Sequence, residues 1–243
     1  MNGFFTAPQK RHFLSAMEKR VSCRKFGGEL STVQWAALSY GAGRCALSGI
    51  RFVLGACDEG FFKGALLSAN AITGVTRFAA LIADTKEPDY ALKAGISGEA
   101  LVLLAADHAV STCWVTQSYK KKECPVMMKP GEQVAAIIAL GNSVQGALPK
   151  KRKTVERILK GASFSHLPDW AQQAVLAVQN APSYQNIQPW ELSFKEGSLL
   201  FHGIERQKLE IGIAMLHAEA AIEEPHCWAL GDEKNVIAKV SLV

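Results

Sequence analysis

The chain has 243 residues, 49% of them hydrophobic, which is enough to form the core of one large domain or two small ones. Much of its formal net charge of +5 lies in two short clusters, at residues 120–122 and 150–153. This pattern favours local anion sites and argues against a nucleic-acid-binding surface. No apolar run reaches the roughly 18 residues of a membrane span, and the N-terminus lacks the apolar core of a signal peptide. The six cysteines show no CxxC spacing, so we expect a soluble, cytoplasmic protein with reduced thiols.

In the first half of the chain, helical and strand-like patterns alternate. The predicted helices cover residues 13–19, 33–40 and 98–110, and the predicted strands cover residues 50–54, 77–83 and 134–140. Ser31 or Thr32 can cap the second helix, and Gly41 and Gly43 are expected to end it. The third helix is apolar on nearly all sides and the third strand is continuously apolar, which predicts that both are buried. Residues 60–76 fit either a helix or a loop.

We place a boundary near residue 160, after a polar and basic stretch, so the predicted domains are residues 1–160 and 161–243. A short helix is expected over residues 154–160. In the second half, the predicted helices cover residues 169–180 and 211–223, and the predicted strands cover residues 191–194, 198–202, 227–230 and 236–243. The first two of these strands are expected to form a hairpin.

The order of these elements contains a faint internal repeat. In each half, a helix leads through a small-residue loop into a strand, and a buried helix that begins near a Gly-Ile pair is followed by Cys-Trp. The Gly-Ile pairs are at residues 95–96 and 212–213, and the Cys-Trp pairs are at residues 113–114 and 227–228. Chance similarity between two apolar helices would give the same match, so both explanations stay open.

The stretch at residues 181–190, APSYQNIQPW, is rich in side-chain amides and bracketed by two prolines. We call it the amide loop. It can form neither a plain helix nor a plain strand, although it connects a predicted helix to a predicted strand. A stiff polar loop between two regular elements is suited to holding a flat polar ligand.

Two basic segments could hold an anion. Arg20, Ser22 and Arg24 alternate, so on an extended segment all three would face one side, where two guanidinium groups and a hydroxyl suit a phosphate. Lys150 and Arg152 precede a predicted helix, whose N-terminus could help to bind a phosphate. A solvated basic turn also explains the first segment, and a solvated face or a localisation signal also explains the second.

Four segments in combination resemble the nitroreductase-like flavoproteins. They are KRVSCRKF (19–26), GEALVLLAADHAVSTCWV (98–115), KKRKTVERIL (150–159) and APSYQNIQPWEL (181–192). The resemblance spans most of the chain between residues 13 and 194, and APSxxNxQPW is its most specific part. It implies an α+β fold, with mixed, mainly antiparallel sheets surrounded by helices, and FMN as the cofactor. Two subunits of this family ordinarily share each flavin.

The order of the segments departs from the family pattern. In the family the amide loop closely follows RxSxR, whereas here that place holds GAGRCALSGIRF (41–52), and the intact loop comes only in the second half. The second half in turn lacks RxSxR and KxR. This resembles the branch in which one chain carries two related halves that imitate a dimer. One good copy of each segment implies one FMN per chain and a monomer that acts as an internal pseudo-dimer, although the same halves could still associate.

The resemblance assigns roles in phosphate binding to residues of both basic segments. Arg20, Ser22 and Arg24 match the segment that contacts the phosphate, the ribityl chain and the flavin edge. Lys150 and Arg152 match the KxR that pairs with the phosphate.

The resemblance also assigns residues to the isoalloxazine ring system. Pro182, Ser183 and Asn186 match the loop that packs on the ring from the partner side, so they are expected to face the RxSxR set across one flavin. Thr116 and Gln117 replace a glycine pair whose backbone approaches the flavin. The Thr116 backbone N–H can still donate, but its side chain takes up space above the ring.

The implied chemistry belongs mostly to the cofactor, which takes a hydride from NADH or NADPH and passes electrons to a small nitro compound, quinone or similar acceptor. His108 and His217 lie on apolar helices and are expected to be satisfied core histidines, and no metal motif occurs. One alternative is an FMN-binding protein without turnover, serving as a redox sensor or flavin carrier, which the Thr116 and Gln117 replacements favour slightly. The other is a structural protein with a vestigial site, against which the intact flavin-binding sets argue.

Overall fold

The structure is a computed structural model that describes residues 3–62, 71–117, 119–144, 151–231 and 233–243. The chain forms two compact units. We call Lys19–Pro149 the central unit, and Met1–Glu18 together with Lys150–Val243 the terminal unit. The predicted boundary near residue 160 therefore lies later along the chain than the observed division.

The N-terminal residues group with the C-terminal part of the chain because they pack on it. The Lys10 ammonium donates a hydrogen bond to the Ile222 carbonyl. Phe4 stacks on Trp228, with 5.4 Å between the ring centroids. Contacts of this kind join residues far apart in sequence, so local patterns did not predict this grouping.

Helices and strands alternate along the chain. In chain order the helices are α1 (Ala7–Lys19), α2 (Thr32–Cys45), α3 (Tyr90–Asp107), α4 (Val155–Ile158), α5 (Asp169–Gln179) and α6 (Lys208–Ala221). The strands are β1 (Ile50–Ala56), β2 (Arg77–Asp84), β3 (Ser111–Val115), β4 (Glu132–Gly141), β5 (Leu159–Lys160), β6 (Glu191–Lys195), β7 (Ser198–His202), β8 (His226–Leu230) and β9 (Val236–Leu242). Throughout the described ranges, no helix is both long enough and apolar enough to cross a membrane.

The central unit contains an antiparallel sheet in the order β1-β2-β4-β3. β4 is an interior strand and α3 is buried on nearly all sides, as both were predicted to be. Successive residues of β2 face opposite sides of the sheet. Phe78 belongs to a buried aromatic cluster with Phe61 and Tyr119, whereas Leu81 lies towards Gly98 of α3. The sheet is therefore covered on both faces.

The terminal unit contains a sheet in the order β5-β6-β7-β9-β8. β5 pairs with β6 in parallel, and the other pairs are antiparallel. The predicted hairpin of β6 and β7 is confirmed. Its two connecting residues, Glu196 and Gly197, have φ angles of 50° and 73°, which suit the tight turn that a right-twisted hairpin prefers. The predicted α+β class with mixed, mainly antiparallel sheets and surrounding helices is thus confirmed.

The two units share one topology. The central unit runs α2-β1-β2-α3-β3-β4 and the terminal unit runs α5-β6-β7-α6-β8-β9. The sheet orders β1-β2-β4-β3 and β6-β7-β9-β8 correspond strand for strand. The Gly-Ile pairs lie within α3 and α6, and the Cys-Trp pairs lie in β3 and β8. This correspondence supports the internal repeat that the sequence suggested.

The predicted end of α2 was wrong. Ser31 caps the helix as expected, but the helix continues through Gly41 and Gly43 to Cys45. A Cβ atom at Gly41 would lie 2.3 Å from Leu104 Cδ2 of α3, so this glycine permits close helix packing. Its lack of a side chain serves tertiary packing and does not end the helix.

Other elements also differed from expectation. The helices α1 and α3 begin at Ala7 and Tyr90, earlier than the predicted residues 13 and 98. The helix predicted before residue 160 is only one turn long, and Leu159–Lys160 leaves it to pair with β6. The sequence interpretation also missed β3, which directly follows α3 and pairs along one edge of β4. In both places a short strand is defined by its partner, and local pattern carries little information about that partner.

Candidate functional site

An extended segment that carries Arg20, Ser22 and Arg24 runs beside β3 in the central unit. Ser22 forms a parallel bridge with Thr112 of β3, and the Arg24 carbonyl accepts the backbone N–H of Thr73 at 2.9 Å. The segment is therefore extended around Ser22, which is the condition under which the three side chains were expected to face one side. The three side chains differ in exposure, however, since Ser22 is exposed, Arg24 is half-buried and Arg20 is buried.

Arg20 is only 2% exposed and belongs to a buried polar network. Its Nε lies 3.7 Å from Oε1 of Glu99, a carboxylate on α3 that is 0% exposed. Its Nη1 donates to Ser22 Oγ at 3.2 Å. The indole N–H of Trp114 on β3 donates to the other carboxylate oxygen of Glu99 at 2.9 Å. Burial lowers the pKa of Arg20, and the Glu99 carboxylate acts in the opposite direction.

Arg24 and Thr116 flank the same strand. Burial raises the pKa of the Cys113 thiol on β3 to about 11, and the nearby Arg24 guanidinium acts against this rise. Thr116 directly follows β3 and is half-buried, and Gln117 beside it is exposed.

Cys23, within the basic segment, has a buried thiol that donates a hydrogen bond to the Lys25 carbonyl. A buried thiol of this kind is not expected to act as a nucleophile.

In the terminal unit, Arg152 binds the amide loop. Its guanidinium donates to the carbonyls of Asn180 and Ala181 at 2.9 and 3.1 Å and to Asn186 Oδ1 at 2.9 Å. The Asn186 side chain in turn donates to the Lys151 carbonyl at 2.7 Å. Arg152 therefore fixes the backbone where α5 leads into the amide loop, and also the side chain that the family resemblance assigns to the flavin.

Gln188 holds the amide loop from inside. It is 4% exposed, and its side-chain carbonyl accepts the backbone N–H of Lys153 at 2.9 Å. Its own backbone N–H donates to Ser183 Oγ at 2.7 Å. Trp190, which ends the loop, is 1% exposed and belongs to the core. Pro182 is also buried, so the loop presents Ser183 and Asn186 from a packed base.

The amide loop also carries unusual backbone angles. Gln185, Asn186 and Gln188 have φ angles of 48°, 57° and 50°. Residues other than glycine adopt this left-handed conformation at some cost, on the order of 1 kcal/mol each, and only where the surroundings hold them in place. Such strained positions are frequent where a loop must present groups to a ligand.

Most of the chain is similar to one known protein family. The model of the family described as "Putative TM nitroreductase" matches residues 12–222. The chain belongs to this nitroreductase family. No curated protein sequence matches the chain significantly.

Solved nitroreductase-family structures resemble the fold. A structure from Thermotoga maritima, described as a putative nitroreductase, matches with a TM-score of 0.68 and 20% identity, covering 95% of this chain and 93% of that one. A nitroreductase family protein from Streptococcus pneumoniae matches with a TM-score of 0.51 and 16% identity, covering 62% of this chain and 100% of that one. At these identities the likeness establishes the fold alone. A structure from Exiguobacterium sibiricum, described as a putative nitroreductase in complex with FMN, matches with a TM-score of only 0.48 and 16% identity, covering 60% of this chain and 95% of that one.

For this nitroreductase-family chain, the structure brings some of the predicted site residues together within each unit. Arg20 and Ser22 are in contact in the central unit. Arg152 contacts Asn186 in the terminal unit, and Ser183 supports the same loop. Lys150 lies outside the described residues. The pairing of Arg152 with the phosphate was inferred from the resemblance, whereas the hydrogen bonds observed for Arg152 are directed to the amide loop.

Sequence reasoning missed Glu99 and Trp114. A signal was available, because Glu99 lies in the most apolar helix of the chain. An acidic residue in a fully buried helix needs a partner and often marks a functional site. The partner could not be read from the sequence, since Arg20 is far from Glu99 along the chain.

A second buried carboxylate lies on the corresponding helix of the terminal unit. Glu219 on α6 is 0% exposed and accepts the indole N–H of Trp228 at 2.7 Å and the backbone N–H of Phe4 at 3.0 Å. The His226 ring lies 2.8 Å from the same carboxylate, and its other nitrogen lies 2.7 Å from the Glu224 carbonyl. Two acceptors suit the imidazolium form of His226.

These contacts shift the pKa values of both Glu219 and His226. Burial lowers the pKa of His226, but its hydrogen bonds to Glu219 and Glu224 outweigh burial and raise the pKa. Burial raises the pKa of Glu219, but the hydrogen bonds from His226 and Trp228 outweigh it and lower the pKa. The folded protein therefore favours the charged forms of both groups.

The expectation for the two other histidines holds for one of them. His217 is fully buried, and its Nδ1 lies 3.1 Å from the Ala177 carbonyl. The prediction that His108 lies in the core was wrong, because α3 ends at Asp107 and leaves His108 exposed as the capping residue.

Among the residues that the structure describes, no three acidic, histidine or cysteine side chains are grouped to hold a metal ion.

Proposed function

We propose that the protein is an FMN-dependent oxidoreductase that passes electrons from NADH or NADPH to a small nitro compound, quinone or similar acceptor. The observation that carries the proposal is the family match over residues 12–222, a range that includes every residue assigned to the cofactor. When bound, FMN would supply the chemistry, since it can take a hydride and pass on electrons. The chain would bind and orient it.

The donor groups in the central unit fit the phosphate of FMN. The exposed Ser22 hydroxyl lies beside the Arg20 guanidinium, and Arg24 adds a second, half-buried guanidinium on the same segment. Hydrogen bonds from cations to phosphate oxygens are among the strongest in proteins. These groups therefore fit the phosphate end of the cofactor.

The amide loop supplies groups suited to the polar edge of the isoalloxazine. After its bonds to Arg152 and Lys151, the Asn186 amide retains one N–H and one lone pair. Since the central unit alone has RxSxR and the terminal unit alone has the amide loop, we propose one FMN per chain that requires both sets. The shared topology of the two units supports a monomer that imitates the family dimer. Free cysteines are consistent with the proposed cytoplasmic location.

A second candidate is an FMN-binding protein that does not turn over, such as a redox sensor or flavin carrier. Thr116 favours it, because a threonine side chain stands where the family has a glycine whose backbone approaches the flavin. A side chain there would restrict access of the hydride donor or the acceptor to the ring.

Purification and anaerobic reduction test the proposal. We expect a yellow protein with one FMN per chain, which bleaches when NADH or NADPH is added without oxygen and recovers its colour when a quinone follows. A protein that is yellow but is not bleached by either donor supports the binding-protein candidate. A colourless protein that takes up no added FMN contradicts both.

Arg152→Ala distinguishes a role in the amide loop from a role at the phosphate. Because the observed hydrogen bonds of Arg152 are to the loop, we expect the variant to weaken FMN and riboflavin binding by a similar factor, on the order of tenfold. Fluorescence titration with both flavins measures this. The control is Arg157→Ala, which removes an exposed cation nearby. A selective loss of FMN binding would instead place Arg152 at the phosphate.

A further inference from the structure

Four side chains of the central unit form a chain of contacts that leads from the core to the surface. The Trp114 indole donates to Glu99, Glu99 faces the Arg20 guanidinium, and Arg20 donates to Ser22 Oγ. Three of the four are buried or half-buried, whereas Ser22 is exposed. The order of contacts therefore joins a fully buried carboxylate to a hydroxyl that a ligand can reach.

The direction of each hydrogen bond defines what Ser22 can offer. A guanidinium only donates, so Ser22 Oγ is the acceptor in its contact with Arg20. The hydroxyl proton of Ser22 is then available to point away from Arg20, towards a ligand that accepts. A phosphate oxygen is such an acceptor, and the adjacent positive charge strengthens the bond.

Arg20 needs a counter-ion to stay in this place. A guanidinium that is 2% exposed has lost most of its water, and an isolated buried cation would turn towards solvent. Glu99 is 0% exposed and lies 3.7 Å from Arg20 Nε, so it supplies the compensating charge. Trp114 holds Glu99 through its other oxygen at 2.9 Å.

The terminal unit offers a natural comparison. Glu219 lies on the corresponding helix and accepts the indole N–H of the corresponding tryptophan, Trp228. Its other partners are His226 and the backbone N–H of Phe4, and not an arginine of a phosphate-binding segment. The bond between glutamate and tryptophan is thus common to both units, and the link through arginine to an exposed hydroxyl belongs to the central unit.

We propose that Glu99 is a positioning residue for the cofactor phosphate, which holds Arg20 against Ser22 so that the Ser22 hydroxyl donates to the phosphate. This rests on the proposed function, since it presumes that the phosphate of FMN binds at Ser22. Under this proposal Arg20 contributes to phosphate binding in two ways. Its positive charge attracts the phosphate, and its hydrogen bond to Ser22 Oγ orients the Ser22 hydroxyl.

Glu99→Gln and Glu219→Gln test this as a matched pair, because each removes one buried charge from the same structural setting. We expect Glu99→Gln to weaken FMN binding by about tenfold or more while changing riboflavin binding less than about twofold, since riboflavin lacks the phosphate. Glu219→Gln should leave both affinities unchanged. Fluorescence titration gives the affinities, and thermal unfolding confirms that each variant is folded. Unchanged or tighter FMN binding by Glu99→Gln, or an equal loss for both flavins, would overturn the proposal.

A second readout uses protein from which flavin has been removed, so that it does not depend on flavin binding. Arg20 should resist modification by phenylglyoxal in the wild-type protein and become reactive in Glu99→Gln, as followed by mass spectrometry of its peptide. If Glu99→Gln does not fold, Trp114→Phe replaces it, because that change keeps the Glu99 carboxylate and removes its indole donor, together with the part of the ring that packs against Gly98. Arg20 that is equally protected in the wild type and the variant contradicts the positioning role. A wild-type protein that binds no flavin contradicts the proposed function, and the labelling result then decides whether Glu99 holds Arg20.

Discussion

Replacing Glu219 by alanine is expected to lower the free energy of unfolding by about 3–5 kcal/mol. The substitution removes the acceptor for the indole N–H of Trp228 and the backbone N–H of Phe4, and the counter-ion of His226. These donors would stay buried without their partner, and an unpaired buried donor or charge is costly. Urea unfolding at pH 6, where His226 is expected to be charged, measures the change.

The control for this prediction is Glu223→Ala. Glu223 is an exposed glutamate close to the end of the same helix, and substitutions at such positions usually change stability by less than about 0.5 kcal/mol. The N-terminal residues provide a second check, because Phe4 should become more accessible to proteolysis in Glu219→Ala. A loss of less than about 1 kcal/mol would mean that water or another group replaces the carboxylate.

Arg24→Ala is expected to weaken FMN binding by about 1.5–3 kcal/mol, which corresponds to roughly 10- to 150-fold in the dissociation constant. The reason is the loss of charge-assisted hydrogen bonds from a half-buried guanidinium to the phosphate or the flavin edge. Equilibrium dialysis or flavin fluorescence, at one fixed ionic strength, measures the affinity.

Lys25→Ala is the matched control, because Lys25 is the adjacent cation and its side chain is exposed. A general loss of positive charge would weaken binding in both variants, and the loss would shrink as salt is added. A specific contact predicts a large effect for Arg24 alone. Equal affinities of Arg24→Ala and wild type would remove Arg24 from the proposed site.

The two units keep one fold but differ in the partners of a shared core residue. Both keep the same strand order and the same pairing of a buried glutamate with a tryptophan. In the central unit the glutamate faces Arg20, and in the terminal unit it faces His226 and the N-terminal segment. A shared core feature therefore has different partners in the two copies. This asymmetry agrees with the proposal that each chain binds one flavin.

Much of the fold could be predicted from the sequence because its signals are local. The period of the apolar residues located the main helices and most strands, and Ser31 marked the start of α2. The continuous apolar stretch predicted that β4 is an interior strand. The RxSxR and APSxxNxQPW motifs indicated the family, which the match over residues 12–222 established.

Only the tertiary structure decided what the site residues contact. Arg20 was expected to share one face with Ser22 and Arg24, yet it is buried against Glu99. The hydrogen bonds of Arg152 to the amide loop could not be read from the sequence either. The tertiary structure also placed the N-terminal residues with the terminal unit, where the Phe4 backbone N–H donates to Glu219. The physical reason is the same in each case. Spacing along the chain reports which side chains share a face, whereas the partner of a buried charge comes from a distant segment and depends on how the elements pack.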